Sequence, residues 1–221
     1  MGVMESAAGQ LRLIGGRLCL DFVNTVGGRK TGQSPKRNPA PSIALVVAEK
    51  LVNYDDLLAW AVHAGALSEK ESQRLGREGN RRKEEAAVVL RKALELREAM
   101  YAIFMSVIAG HRCSQSDLDT VNRELVMARL RERLVGKDGA FAFEWDNPSD
   151  ELDRMLWPVV HSFAEFLTDG DLARLRQCGG DDCGWLFEDI SRNRSRQWCY
   201  MQGCGNLSKV RRFRRRMKGA N

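Results

Sequence analysis

Four cysteines near the C-terminus fall in two equal steps, Cys178 with Cys183 and Cys199 with Cys204. Each pair has the spacing Cys-x4-Cys, and fifteen residues separate the pairs. Two short pairs joined by a hairpin-sized interval can bring four thiolates onto one tetrahedral ion, and Zn²⁺ is the usual occupant of a closed all-sulfur site. Gly179, Gly180, Asp181 and Asp182 lie inside the first pair and permit the tight turn that a chelating pair needs. A segment this short buries too little surface to fold alone. Metal binding is expected to supply much of its folding free energy, on the order of 10 kcal/mol.

Charge concentrates beside these cysteines. From Leu172 onward there are twelve Lys and Arg against four Asp and Glu, a net of +8, whereas the whole chain of 221 residues carries +6. The preceding 171 residues are therefore near −2. Between the pairs, Ser191-Arg192-Asn193-Arg194-Ser195-Arg196 forms a loop rich in hydrogen-bond donors. After Cys204, the apolar residues Leu207, Val210, Phe213 and Met217 recur at the spacing of one helix face. That face is expected to pack on the zinc core. Lys209, Arg211, Arg212, Arg214, Arg215 and Arg216 then point outward, together with Arg192, Arg194 and Arg196, as the phosphate-binding surface. Double-stranded DNA is the expected partner. Structured RNA or a protein stays open, because charge does not distinguish one polyanion from another.

The elements ahead of the cysteines read as mainly helical. Leu18 to Val23 is an apolar run expected to form a buried strand. Residues 27–42 are a loop by composition. Asn53 caps one predicted helix, Ser68 with Glu71 forms a capping box for the next, and the longest helical pattern runs from about Arg81 to Gly110. Core candidates along it are Val88, Leu90, Leu94, Leu96, Met100, Ile103 and Phe104. Ser114 or Ser116 opens another helix, and Lys137-Asp138-Gly139 turns a hairpin carrying Phe141, Phe143 and Trp145. Pro148 sits near the start of a last predicted helix, and Pro158 should kink or divide it. The expected fold class is α+β: a helical N-terminal domain over residues 8–168 with a short strand and a β-hairpin, and a four-cysteine module over 172–218 ending in a basic helix.

Function in the larger domain is less marked. Asp21, Asn24 and Thr25 end the predicted strand, where they could line a ligand pocket or satisfy backbone groups in the following turn. The first reading admits a small-molecule effector, or an enzyme built around Asp21 and Asn24. His63, His111 and His161 stand apart with no catalytic spacing, so no catalytic residue is assigned and the chain is not expected to be an enzyme. Cys19 reads as a packed thiol, and Cys113 follows a helix end. No apolar run reaches the length of a membrane span, and the N-terminus lacks a secretory pattern although Gly2 and Ser6 match the letters of a myristoylation motif. A cytoplasmic, reducing setting is expected, which favours metal thiolates over disulfides.

The segments Arg176-Gln177-Cys178, Asp182-Cys183-Gly184-Trp185-Leu186-Phe187, Asp189-Ile190-Ser191-Arg192-Asn193, Arg196-Gln197-Trp198-Cys199 and Cys204-Gly205-Asn206 together resemble the CGNR-type zinc finger. Gly15-Gly16-Arg17-Leu18-Cys19-Leu20-Asp21-Phe22-Val23-Asn24-Thr25 resembles the opening of the ABATE domain, which usually precedes that finger. The two resemblances cover nearly the whole chain. They imply a bacterial stress-induced transcription regulator, with the four cysteines as zinc ligands, the basic helix on DNA, and an N-terminal domain that binds an effector or forms a homodimer. One departure stands out: Leu207 occupies the last position of the naming motif, where the family has Arg. If that arginine meets DNA, binding here is weaker or different; if it only caps or packs the helix, Leu207 can join the apolar stripe.

Overall fold

The computed structural model describes residues 6–29, 48–146 and 151–218. Most of the loop expected over 27–42, the position of Pro148, and Gly2 lie outside the described residues.

The first helix is a correction to the sequence reading. Residues Leu18–Val23 form a six-residue helix, α1, instead of a strand. Cys19, Leu20, Phe22 and Val23 are all buried, so the segment shows no polar face that would reveal a helical period. The strand comes just after it: β1 (Val26–Gly27) pairs antiparallel with β2 (Ala48–Glu49). α2 (Tyr54–His63) starts at Asn53, whose side chain accepts from Asp56 N–H while the Asp56 carboxylate accepts from Asn53 N–H. α3 (Glu69–Arg81) starts at the Ser68–Glu71 capping box. These reciprocal caps satisfy backbone donors that the first turn leaves unpaired.

α4 (Lys83–Ala109) is the 27-residue mast of the molecule, packing against α1, α2, α3 and α5. It stops at Gly110, which takes the left-handed conformation at φ 67°. Leu96, Met100, Ile103 and Phe104 are buried, Leu90 and Leu94 pack against the core from its margin, and Val88 is a second correction at 49% exposed. Val88 therefore lies on a side of α4 left open among the described residues. α5 (Gln115–Arg129) begins after Ser114, and β3 (Glu132–Lys137) pairs with β4 (Ala140–Trp145) through the Asp138-Gly139 turn, where both residues have positive φ.

α6 (Leu156–Asp169) is one uninterrupted helix that Pro158 does not divide. The helix starts late enough that Pro158 falls in its first turn, where a backbone N–H has no intrahelical acceptor to lose. Phe163 and Phe166 of α6 pack on Phe104 of α4 at ring-centroid distances of 4.8 and 5.8 Å. The same core takes in Leu175 and Leu186, beyond the turn at residues 168–171. Those two residues belong to β5 (Leu175–Gln177) and β6 (Leu186–Glu188), an antiparallel pair that brings the cysteine-rich segment onto the helical body. The chain ends in α7 (Asn206–Lys218).

Candidate metal centre and nucleic-acid interface

β5 and β6 deliver the first cysteine pair. Cys178 N–H donates to the Trp185 carbonyl at 2.8 Å, continuing the ladder by one step, and Cys183 N–H donates to the Gly180 carbonyl at 3.1 Å to close the turn. Gly184 has φ 70°, and a Cβ there would lie 2.4 Å from Arg29 Cβ, so only glycine fits this close approach. A single wide helical turn, Met201–Gly205, carries Cys204 and runs directly into α7.

The four sulfurs converge within 4.8 Å of one another. Cys183 Sγ lies 3.5 Å from Cys199 Sγ, which lies 3.7 Å from Cys204 Sγ. A tetrahedron with Zn–S bonds of about 2.3 Å has edges of roughly 3.8 Å, close to these two separations, so the donor set suits zinc. Cys178 and Cys199 are buried, and Cys183 and Cys204 half-buried. Hydrogen bonds from the Cys183 and Cys199 thiols, helped by Cys199 N–H at 3.3 Å, pull Cys178 far down into the thiolate range. Four sulfurs close the coordination shell and leave zinc no position for a substrate; such a site staples the fold. The chain binds Zn²⁺ through these cysteines.

The cluster Asp21, Asn24 and Thr25 is a joint in this structure. Asn24 is buried; its side-chain amide donates to the Leu186 carbonyl and its oxygen accepts from Leu186 N–H, both at 2.8 Å. That pair extends β6 with a side chain in place of a third strand. Thr25 Oγ1 donates to the Phe22 carbonyl at 2.8 Å and accepts from Arg97 at 3.2 Å. Asp21 accepts from Gly15 N–H at 2.8 Å. Of the two readings open for these three residues, the hydrogen bonds agree with the second, in which their polar atoms satisfy backbone groups, and together they make a seam. The seam continues through Trp185 Nε1 to the Val26 carbonyl at 2.8 Å, the Arg17–Glu188 pair at 2.7 Å and Gln177 to the Tyr101 hydroxyl at 3.0 Å. A hollow of about 360 Å³ opens against the tetrad where Ile14, Trp185, Tyr200 and Leu207 meet.

The basic residues divide into three groups. Arg196 points inward: its guanidinium donates to the carbonyls of Cys199 at 2.6 Å and of Ile14 and Trp198 at 3.2 Å, and it lies 4.2 Å over the Phe187 ring. It is a structural staple and is not free to meet DNA. Arg194 and Arg211 are exposed but paired, Arg194 with Asp171 at 3.1 Å and Arg211 with Asp181 at 2.7 Å and Asp182 at 3.1 Å. Arg215 approaches Asp181 at 3.7 Å. Lys209, Arg212, Arg214 and Arg216 on α7 are exposed and form no ion pair among the described residues, and Arg192 is exposed on the loop.

α7 also corrects the expected packing. Leu207, Val210, Phe213 and Met217 are 59, 46, 64 and 60% exposed, so the apolar stripe does not lie on the zinc core. The helix leaves the body straight from the Met201–Gly205 turn, and the side it presents to the first zinc turn is the one bearing Arg211 and Arg215.

Sequence reasoning missed Asp189. Its carboxylate is buried, which opposes ionisation, but donors from Ser191 Oγ at 2.5 Å, Ser191 N–H at 2.9 Å and Arg196 N–H at 3.0 Å hold it below the usual carboxylate range. Asp189 thereby shapes the whole Ser191–Arg196 loop. The available signal was the Asp-x-Ser spacing of an Asx turn.

Residues 16–170 match the ABATE family, described as "Putative stress-induced transcription regulator", and residues 174–217 match the CGNR zinc finger. No curated protein matches the chain. The first match alone spans more than half of the residues, and the second contains all four converging sulfurs. The chain therefore belongs to the ABATE family and carries a C-terminal CGNR zinc finger.

Proposed function

We propose that this protein is a zinc-dependent DNA-binding transcription regulator whose C-terminal module grips the duplex. The observation that carries the reading is the placement of Lys209, Arg212, Arg214 and Arg216 on an exposed helix held to a zinc-stapled base. Unpaired cations on a rigid element release counterions from a polyanion at little conformational cost, and arginine forks match phosphate and guanine edges. Arg192 adds a contact from the loop. The hollow beside the tetrad is the seat assigned to an effector, since the N-terminal segment, the first zinc turn and α7 all meet there. A homodimer would place two such modules on paired half-sites. No described helix is long and apolar enough to cross a membrane.

The test is duplex binding across a salt series, with zinc content measured on the same sample. Replacing Arg212, Arg214 and Arg216 together by alanine should flatten the log–log salt slope by about one unit per lost phosphate contact. Zinc-loaded protein that binds no duplex, or that binds a structured RNA more tightly, would overturn the DNA reading and favour an RNA- or protein-binding adaptor.

A further inference from the structure

Two hollows of about 420 and 290 Å³ lie on the outer side of the zinc module and share Gly179, Gln197 and Trp198. They form one continuous groove. Arg176 and Arg194 border one end, and Arg211, Arg212 and Arg215 of α7 border the other. Its floor is fixed: Gly179 N–H donates to the Gln197 carbonyl at 2.9 Å, and Trp198 Nε1 donates to Ser208 Oγ at 3.1 Å, tying the floor to α7. Carboxylates already sit on the arginine forks at both ends, Asp171 on Arg194 and Asp181 with Asp182 on Arg211.

We infer that this groove seats a single run of nucleic-acid backbone, and that the aspartates at its ends stand where phosphates go. The inference rests on the nucleic-acid reading above and names the surface and the anion positions. Arg211 receives one oxygen from each of two carboxylates on its two terminal nitrogens, as it would receive two oxygens of one phosphodiester, and Arg194 receives one from Asp171, so each end displays an anion site filled from within. The pairs are exposed on both sides, between 44 and 67%, and exposed pairs of this kind are weak enough to be exchanged. Binding is therefore an exchange of one anion for another at Arg194 and Arg211. Arg212, which lacks an internal anion among the described residues, makes the first contact. Asp181 and Asp182 are anchored inside the Cys178–Cys183 turn, so they stay near the displaced site and lower the affinity that the arginines alone would give.

The experiment is a double-mutant cycle on the full-length, zinc-loaded protein, using a duplex of about two helical turns at fixed low salt. The combined Asp181→Asn and Asp182→Asn variant should bind about fivefold more tightly than the parent, the size expected for releasing exposed pairs. In an Arg211→Ala background the same substitutions should change affinity by less than about twofold, since only the longer Arg215–Asp181 contact at 3.7 Å remains to be freed. Arg176→Gln should flatten the salt slope by about one unit. An equal gain in both backgrounds would mean that only net charge matters, and would overturn the exchange. No change, or a loss, in the parent background would show that the aspartates are inert or aim Arg211, and would overturn it too, while leaving DNA binding intact. A parent protein and an aspartate variant that both fail to bind duplex would sink the DNA reading and the groove together. Zinc content of each variant separates these results from a misfolded module.

Discussion

Arg196 sits in a loop that looks made for phosphates, yet its guanidinium faces the protein. Four backbone carbonyls, those of Ile14, Glu188, Trp198 and Cys199, and the Phe187 face take up its donors and its charge. Arg196→Ala orphans those carbonyls and removes a stacking contact, so it should destabilise the zinc-loaded protein by about 2–3 kcal/mol in urea denaturation. A pure DNA contact would leave stability unchanged. Asp21 supplies a second residue-scale prediction. Burial raises its carboxyl to about 6, against the opposing pull of the Gly15 N–H. A folded-state value above the unfolded one means that this group's stabilising contribution is complete below about pH 4 and is lost as pH rises through about 6. Asp21→Asn keeps an acceptor for Gly15 and carries no charge. It should raise stability at pH 8 by about 2 kcal/mol and flatten the dependence between about pH 4 and 6. Urea midpoints of both proteins at pH 4 and 8 check this, and a loss at both values would refute it.

At the scale of elements, what was legible and what was not follows from exposure. α2, α3 and the β3–β4 hairpin could be read because their signals are local: a cap and its partner three residues on, or an Asp-Gly turn with positive φ at both positions. α1 could not, because four of its six residues are buried and a short apolar run looks the same in either conformation. α7 was read correctly as a helix, but its facing was not. The stripe of Leu207, Val210, Phe213 and Met217 has helical spacing whether or not anything covers it, and here nothing described does. Leu207→Arg, which restores the family's motif, should therefore change stability by no more than about 0.5 kcal/mol. Leu186→Ala in buried β6 should cost about 2–4 kcal/mol. Comparable losses for the two in thermal melts would mean that Leu207 is covered in solution.

For the whole molecule, the decisive feature is that the zinc module is welded to the helical body. Leu175 and Leu186 belong to the main core, and Asn24, Trp185, Arg17 and Gln177 bond across the seam. Metal removal should accordingly weaken more than the C-terminal segment. A strong chelator should strip one zinc per chain and lower the urea midpoint of the entire helical signal, because binding free energy of the folded state adds to its stability. A helical midpoint that stays fixed after zinc loss would show the module to be an appended unit.

The chain by itself determined the metal, the concentration of positive charge, the capped starts of α2 and α3 and the family, since each is a local property: ligand type and spacing, summed charge, a cap beside its helix. Only the tertiary structure decided which arginines are free, which are spent on carbonyls or aspartates, and that Asn24 joins two segments instead of lining a pocket. Those outcomes depend on partners 162 residues away in the case of Asn24 and Leu186, and 182 for Arg196 and Ile14. A side chain's type states what it can bond, and only the fold states what lies within reach.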